Sequence, residues 1–352
     1  APGGRATLTG LGTRRLFESS MAQTSKWESL PTEAINPNSL RLDTASIGDI
    51  VDLMVNEDRK VVAAVHREKD RIIAGVQMIT ESFRKGGRLI FVGAGTSGRL
   101  GVVEATEMPQ TFGVPTARVS AVMAGGKDAV FQPKEGVEDD YEEGSRAVAR
   151  LKPQKRDIII GISASGVTPF VRGALTSARK AGLRIIFVTC WPGSELQTFV
   201  DLIIAPAVGP EVLTGSTRLK AGTATKMVLN MLTTIAMVRV GKTYGNLMVD
   251  VLATSDKLKD RARRIIATAT GVDYDTAGKL LKSAKNDVKA AIVMQRTGLS
   301  LTEALATLRN AHDSVREAVG EDAEPRLRVL LGLDRTPDKV EKTDKSEKSE
   351  KK

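Results

Sequence analysis

Hydrophobic residues recur along the chain with two alternating periods. Near the N-terminus the spacing of three to four predicts a helix from Ser46 to about Asn56 and a longer helix from Val61 that ends at Gly86-Gly87. Helical stretches, among them Pro169–Ala181, then alternate with short aliphatic runs. Five runs are predicted as strands: Arg88–Val92, Ala117–Met123, Asp157–Ile162, Arg184–Val188 and Leu202–Ala205. This alternation predicts an α/β fold with a doubly wound parallel sheet that helices cover on both faces.

The pattern changes again after the last strand. Met227–Val238 is nearly all apolar, which predicts a buried or interfacial helix, and short amphipathic helices without strands follow from Leu258 to about Val319. The charged C-terminal tail has one aliphatic residue, Val340, and cannot offset its chain entropy by burial. We therefore expect a flexible extension over residues 1–29, a sheet domain with its N-terminal helices over 30–257, a helical module over 258–320 and a disordered tail over 334–352.

Composition narrows the chemistry available to this fold. The single cysteine, Cys190, excludes an internal disulfide and a cysteine-based metal site, and two histidines are too few for a His-rich one. The longest uncharged run, Ile158–Val171, is shorter than the roughly 20 apolar residues of a membrane span. The net charge of +10 is spread without basic blocks or interleaved aromatics, so we expect no nucleic-acid partner. A basic chain also suits a phosphorylated substrate.

The first chemical motif is a glycine-rich turn between a strand and a helix. Gly93–Gly98 fits the pattern G-x-G-x-x-G, which is also compatible with a dinucleotide site or with a tight turn that binds nothing. A dinucleotide site needs an acid at the tip of the second strand, but that tip is Met123–Gly126, so we expect no nicotinamide cofactor. The hydroxyls of Thr96 and Ser97 and the backbone at Gly98 suit a phosphate monoester.

A second turn of the same kind strengthens the phosphate hypothesis. Ile162–Pro169 follows a buried strand and opens a helix, and it carries the hydroxyls of Ser163, Ser165 and Thr168. Both turns should lie at the carboxyl edge of the sheet, where free amides and helix dipoles favour an anion. A P-loop is excluded, because Gly241–Thr243 follows a helix and lacks the first glycine of that motif.

Three further clusters carry chemical groups. Two are acidic, Glu104–Pro109 and Lys134–Asp140, and each lies downstream of a predicted strand; a solvated surface is the plain alternative for a lone glutamate. The third, Gly209–Lys226, is dense in Gly, Ser and Thr, as is typical of a loop that leads into an anion-facing helix. A capped helix with a solvated basic face is its alternative.

Together these segments resemble the N-acetylmuramic acid 6-phosphate etherase family, whose phosphosugar loops are of the sugar isomerase (SIS) type. The matching segments are Gly93–Leu100, Glu104–Gly113, Glu135–Asp139, Ser163–Pro169, Gly209–Lys226 and Gly245–Asp250. The resemblance runs from about Leu30 to Val319, and the family often has an arginine at the position of Val167. The glucokinase regulatory protein shares a version of the third cluster, but it carries two such domains in a much longer chain, so a single copy favours the etherase.

The resemblance implies a lyase that cleaves the D-lactyl ether of N-acetylmuramic acid 6-phosphate to N-acetylglucosamine 6-phosphate and D-lactate, in cell-wall amino sugar recycling or catabolism. By resemblance, Glu107 is the acid that assists lactate departure and Glu138 the second catalytic glutamate, to which we assign removal of the C2 proton. An acid that is protonated at neutral pH needs a raised pKa, which burial of Glu107 would provide. The remaining expected binding residues are Glu211, Ser216, Arg218 and Lys220.

The resemblance also implies a homodimer with its active site near the interface, and we expect a cytoplasmic protein that needs no metal and no cofactor. Two other functions fit the same scaffold, an aldose–ketose phosphosugar isomerase and a non-catalytic phosphosugar-sensing regulator. A DNA-binding regulator should carry a helix-turn-helix before the sheet, whereas Leu40–Arg84 is predicted as two helices, the second too long for that unit. Lactate release separates the etherase from the isomerase.

Overall fold

Five parallel strands form one sheet in the order β2-β1-β3-β4-β5. The computed structural model describes residue 27, residues 30–252 and residues 255–333; the predicted extension, apart from residue 27, and the predicted tail lie outside these residues. The strands are β1 (Leu89–Gly93), β2 (Val119–Met123), β3 (Ile158–Ile162), β4 (Arg184–Val188) and β5 (Leu202–Ile204). Each predicted strand is present within two residues of its predicted bounds, and the predicted doubly wound parallel sheet is confirmed.

Helices cover both faces of the sheet. The first layer consists of α1 (Ile47–Arg67), α2 (Lys69–Arg84), α3 (Gly95–Phe112) and α7 (Lys220–Arg239). The second contains α5 (Tyr141–Arg150) and α6 (Pro169–Lys180), and the short α4 (Asp128–Phe131) follows β2. Side chains alternate between the faces along each strand: Leu89 and Phe91 pack against the first layer, Ile90 and Val92 against the second. The apolar core therefore has two halves, one on each side of the sheet.

The predicted break between the first two helices was wrong. Polar residues around Asn56 interrupt the hydrophobic pattern, yet α1 continues unbroken to Arg67 and the break falls at Glu68. The polar stretch contains no Gly or Pro that would end a helix, and its Glu57 is buried in an ion pair with Lys220. At the observed break, the Glu68 carboxylate accepts the backbone N–H of Ala205 at 2.9 Å, beyond the end of β5.

The C-terminal part is helical, as predicted. It consists of α8 (Asp256–Thr270), α9 (Tyr274–Ser283), α10 (Val288–Thr297), α11 (Leu301–Asn310), α12 (Val315–Val319) and α13 (Glu324–Leu330). Its core also takes in Tyr244, Val249 and Val251, which precede the predicted boundary at residue 258, so the exact division remains a proposal. The buried ammonium of Lys289 lies 2.5 Å from Asp250 Oδ2, which ties α10 to the segment after α7.

Helices α5 and α6 cross with their backbones in contact. A Cβ atom on Gly144 would lie 2.0 Å from the carbonyl oxygen of Phe170, and one on Gly173 would lie 1.9 Å from that of Tyr141. Next to this crossing, the Phe170 N–H donates to the carbonyl oxygen of Glu138 at 2.9 Å. The two glycines therefore hold the segment that carries Glu138 against the start of α6.

We expect Gly173→Ala to lower the free energy of unfolding by at least about 2 kcal/mol, because its methyl group has no space between the two backbones. The matched control is Gly48→Ala, at an exposed helical glycine where the added Cβ meets only Ser46 Oγ at 3.8 Å. This control should be neutral or stabilising by up to about 1 kcal/mol. Urea unfolding measures both, and equal effects would contradict the close crossing.

Candidate active site

Four of the five sequence-predicted site segments follow strands at the carboxyl edge of the sheet, whereas the fifth, Glu104–Pro109, lies in the second half of α3, away from the start of that helix. Strand register aligns Gly93 with Met123 and Ile162, and Ile162 with Val188. Neighbouring strands thus end at the same level, and the connections that follow them emerge side by side. The two glycine and hydroxyl turns follow β1 and β3, the acidic Lys134–Asp140 lies between β2 and α5, and the Gly209–Lys226 loop leads from β5 to α7.

The first turn forms the start of α3. Thr96, Ser97 and Gly98 lie in the first helical turn, and no side chain caps this end of the helix. The turn is tight, because a Cβ atom on Gly98 would lie 2.7 Å from the carbonyl oxygen of Gly93. Uncapped amides at the start of an 18-residue helix attract an anion. Arg99 is committed elsewhere, since its guanidinium donates to the carbonyl oxygens of residues 129 and 130 at 2.9 Å.

Three hydroxyls converge in the second turn. Ser163 Oγ lies 2.7 Å from Thr168 Oγ1 and 3.4 Å from Ser165 Oγ, and it accepts the N–H of Gly166 at 3.1 Å. Ser163 is buried, while Ser165 and Thr168 are half-buried. As in the first turn, no side chain caps the helix that follows. The predicted grouping of these hydroxyls is therefore present, with donors available to a ligand at the surface of the turn.

The third segment brings the start of α7 to the same place. Glu211 is buried and accepts the N–H groups of Lys220 and Ala221 at 3.0 and 2.9 Å, which caps α7; burial nevertheless raises the pKa of Glu211. A Cβ atom on Gly222 would lie 3.9 Å from Thr96 Cγ2, so α7 begins beside the start of α3. In the same loop Ser216 is half-buried.

Arg218 and Lys220 differ in their surroundings. Arg218 is exposed, and within the described residues its guanidinium has no partner. Lys220 is buried, and its Nζ lies 2.6 Å from Glu57 Oε2. Burial opposes ionisation of Glu57, but hydrogen bonds from Lys220, Lys60 and Asn38 outweigh it and lower the pKa of Glu57 to about 2. The structure therefore gives Lys220 a partner inside the protein, where the sequence had suggested one in the substrate.

Two glutamates on α3 also have contrasting environments. Glu104 is buried, binds Thr233 Oγ1 and accepts from Asn230 Nδ2 at 2.5 Å, and burial raises its pKa in spite of these hydrogen bonds. Glu107, one turn further along, is exposed in the single chain, so the burial expected for it is absent there. Sequence reasoning did not identify Glu104 as a core residue. The signal was its helical spacing to the buried Gly101 and Met108.

Glu138 lies on the exposed segment before α5. Its backbone carbonyl binds the Phe170 N–H, two residues beyond Thr168, which keeps this glutamate next to the hydroxyl turn after β3. The described residues contain no group of three His, Cys, Asp or Glu side chains suited to a metal ion. Nor, within the same ranges, does any helix have the length and apolar character of a membrane span.

A protein-family model matches about half of the sheet domain. The model for the N-terminal SIS domain of glucokinase regulatory protein matches residues 71–179, from α2 to α6, a range that contains both hydroxyl turns. The sheet order, the two turns at its carboxyl edge and this match define a SIS-domain protein.

Bacterial relatives named N-acetylmuramic acid 6-phosphate etherase specify the family. The relative from Rubrobacter xylanophilus is 48% identical over 296 residues, which cover 84% of this chain and 98% of the relative. Those from Rhizobium rhizogenes and Salinibacter ruber are both 47% identical and are covered over 96% and 95% of their length. The chain belongs to the N-acetylmuramic acid 6-phosphate etherase family.

We expect Lys220→Met to lower the free energy of unfolding by about 3 kcal/mol, because it removes the buried cation from the carboxylate of Glu57. Lys60→Met is the matched control, since Lys60 pairs with the same carboxylate but is about half exposed, and it should cost less than about 1 kcal/mol. Denaturant unfolding at pH 7 measures both. Equal effects would show that the buried pair stabilises the protein no more than the half-exposed pair does.

The same ion pair predicts a pH dependence. The folded state holds the pKa of Glu57 at about 2, below its ordinary value of 4.5, so the stabilisation is complete above about pH 4.5 and is lost as the pH falls towards 2. In Lys220→Met, stability should fall less steeply over this window than in the parent protein. Unfolding curves between pH 2 and 5 test this, and an unchanged slope would contradict the assignment.

Proposed function

We propose that this protein is a carbon–oxygen lyase that cleaves the D-lactyl ether of N-acetylmuramic acid 6-phosphate, with N-acetylglucosamine 6-phosphate and D-lactate as products. The names of its relatives, at 45–48% identity over most of the chain, support this activity. The observation that carries the proposal is the cluster of Ser163, Ser165 and Thr168 hydroxyls, with Glu138 held beside it by the backbone. An anion cradle next to a carboxylate is the arrangement that proton abstraction from a sugar phosphate requires.

The phosphate group is assigned to the two hydroxyl turns. The hydroxyls of Ser163, Ser165 and Thr168 donate to its oxygens, and the uncapped start of α3, with Thr96 and Ser97 in its first turn, adds a helix dipole of the right sign. Gly98 lets this turn close tightly against Gly93, while its own N–H donates to the carbonyl oxygen of Ala94 at 3.0 Å. This use of backbone and hydroxyl donors requires no metal ion. The side chain of Val167 contributes no charge to the cradle.

The proposed reaction is an elimination followed by an addition. In the open-chain aldehyde the carbonyl acidifies the C2 proton, and the Glu138 carboxylate removes it. The C3–O bond then breaks, Glu107 protonates the ether oxygen, and D-lactate leaves behind an α,β-unsaturated aldehyde. Water adds at C3 and a proton returns to C2, which gives N-acetylglucosamine 6-phosphate. The atoms balance with one water molecule and without a redox cofactor.

The loop before α7 is assigned to the rest of the substrate. Arg218 is exposed and has no partner in the described part of the chain, so its guanidinium suits the lactyl carboxylate. Ser216 lies two residues earlier on the same loop. Glu211 and Lys220 act as positioning residues, because one caps α7 and the other anchors it to α1.

A homodimer explains how Glu107 serves as an acid. Glu107 is exposed in the single chain and follows the 53% exposed Val103 by one turn of α3. Further apolar side chains are exposed on α1, α2 and α7: Val51, Met54, Val55, Val62, Ile73, Ile235 and Val238. A second copy packed over this surface would bury the apolar groups and desolvate Glu107, which raises a carboxyl pKa.

We also propose a cytoplasmic location, since a sugar phosphate crosses membranes poorly, and a place in cell-wall amino sugar recycling or catabolism.

Separate substitutions distinguish the two glutamates. In Glu107→Gln, lactate release should fall by about 10²–10⁴-fold, while exchange of the C2 proton with deuterated water persists because Glu138 is intact. In Glu138→Gln, exchange and lactate release should both fall. An enzymatic D-lactate assay and proton NMR in deuterated water provide the two measurements.

Glu135→Gln is the matched control for Glu138, as it changes an exposed glutamate of the same acidic segment and should leave both rates within about twofold. Exchange lost in Glu107→Gln but kept in Glu138→Gln would reverse the roles. Full lactate release in both variants would refute the assignment, and sugar isomerisation without lactate would identify the isomerase instead.

Light scattering should give twice the chain mass of 37.7 kDa, and Val103→Glu should shift it towards the monomer and reduce lactate release together. The control is Leu331→Glu, at a 72% exposed leucine beyond α13, which should keep both the dimer mass and the activity. A monomer mass for the active parent protein would contradict the proposed assembly.

A further inference from the structure

A cavity lies at the amino edge of the sheet, opposite the hydroxyl turns. It has a volume of about 1100 Å³. Its walls are the end of α2, the connection from α3 to β2, the end of α7 and the turn before α12. Arg118 on this wall directly precedes β2, which places the cavity at the strand starts. We call it the amino-edge cleft. It lies between the sheet domain and the C-terminal helices and plays no part in the proposed lyase reaction.

The charge of the amino-edge cleft is unbalanced. Its lining contains five Lys or Arg residues and one acidic residue, Glu317. Carboxylates outside the lining neutralise two of these cations: Lys242 pairs with Asp250 at 3.1 Å, and Arg316 pairs with Asp322 at 2.8 Å. Three guanidinium groups remain.

None of these three guanidiniums has a carboxylate partner within the described residues. Arg84 donates to the carbonyl oxygen of Arg239 at 3.2 Å, and Arg118 donates to that of Gly87 at 2.9 Å. The guanidinium of Arg239 has no partner in the ranges that the structure describes. Each of the three therefore keeps unused N–H donors beside a space large enough for a ligand.

Three like charges around one cavity repel one another. Arg84 and Arg239 are exposed and Arg118 is half-buried, and the apolar Phe83, Val114 and Met237 line the same cleft. A bound anion would remove this cost. Guanidinium groups bind phosphate and carboxylate oxygens through paired N–H donors, which favours a ligand with several such oxygens.

We propose that the amino-edge cleft binds a small multivalent anion of the phosphate class, at a site distinct from the proposed substrate site. Arg118 holds it from the sheet domain and Arg84 and Arg239 from the ends of α2 and α7, against the wall formed by the turn at His312. An anion bound at this position stabilises the folded chain.

Inorganic pyrophosphate is the probe, titrated calorimetrically into the full chain. We expect the double variant Arg118→Gln/Arg239→Gln to weaken binding at one class of site by about tenfold or more, with lactate release within about twofold of the parent. Arg156→Gln is the matched control, because Arg156 is exposed just before β3 at the same sheet edge, has no side-chain partner in the described residues and does not line the cleft. Its affinity should change by less than about twofold. Pyrophosphate should also raise the melting temperature of the parent and of Arg156→Gln, but not that of the double variant.

Ser163→Ala separates this site from the proposed substrate site, since it should weaken pyrophosphate binding at the hydroxyl turns and leave the amino-edge cleft occupied. If the double variant does not fold, Arg239→Gln alone serves, because that guanidinium makes no hydrogen bond or ion pair within the described chain. Unchanged pyrophosphate binding in these arginine variants would overturn the proposal. The proposal would also be overturned if the arginine variants still bound pyrophosphate but had a different mass by light scattering from the parent, because the arginines would then join two copies of the chain. Neither outcome depends on whether the protein is an etherase.

Discussion

Three buried carboxylates hold α7 in the core, and much of the molecule is arranged around this helix. Glu57 of α1 pairs with Lys220, Glu211 caps the first turn, and Glu104 of α3 binds Asn230 and Thr233 midway along. A helix that carries polar groups through an apolar layer is stable only if each group finds a partner, because an unpaired buried polar atom costs about 1–3 kcal/mol. The three acids come from three separate parts of the chain and meet this requirement together.

The position of α7 in turn determines the geometry of both sheet edges. Its first turn lies beside Thr96 at the start of α3, so the Gly209–Lys226 loop is held next to the first hydroxyl turn. Its last turn brings Arg239 to the amino-edge cleft, where the C-terminal helices pack. Glu104 also fixes the rotation of α3, because the side that carries Glu104 must face α7. Glu107, three residues further along α3, is exposed in the single chain, where a second copy of the chain is proposed to cover it.

The sequence alone was a good guide to the turns and a poor guide to individual charged residues. Ser163, Ser165 and Thr168 lie within six consecutive residues, so a strand followed by a glycine-rich helix start was enough to bring them together. Lys220, by contrast, has a partner 163 residues away, and no local pattern marks that partner as buried. The break predicted near residue 57 failed for the same reason: Glu57 resembles a surface residue until its distant cation is known.

The sequence by itself determined the class of fold, the bounds of the strands to within two residues, and the segments that meet at the carboxyl edge. These features depend on the period of the hydrophobic pattern and on turn chemistry, and both are determined by residues that are close together in the sequence. Only the tertiary structure decided which charged groups are buried, that Lys220 and Glu211 serve α7, and that three arginines converge on a cleft at the opposite edge. Burial and pairing are properties of residues far apart in the chain, and their energies depend on the local dielectric environment that packing creates.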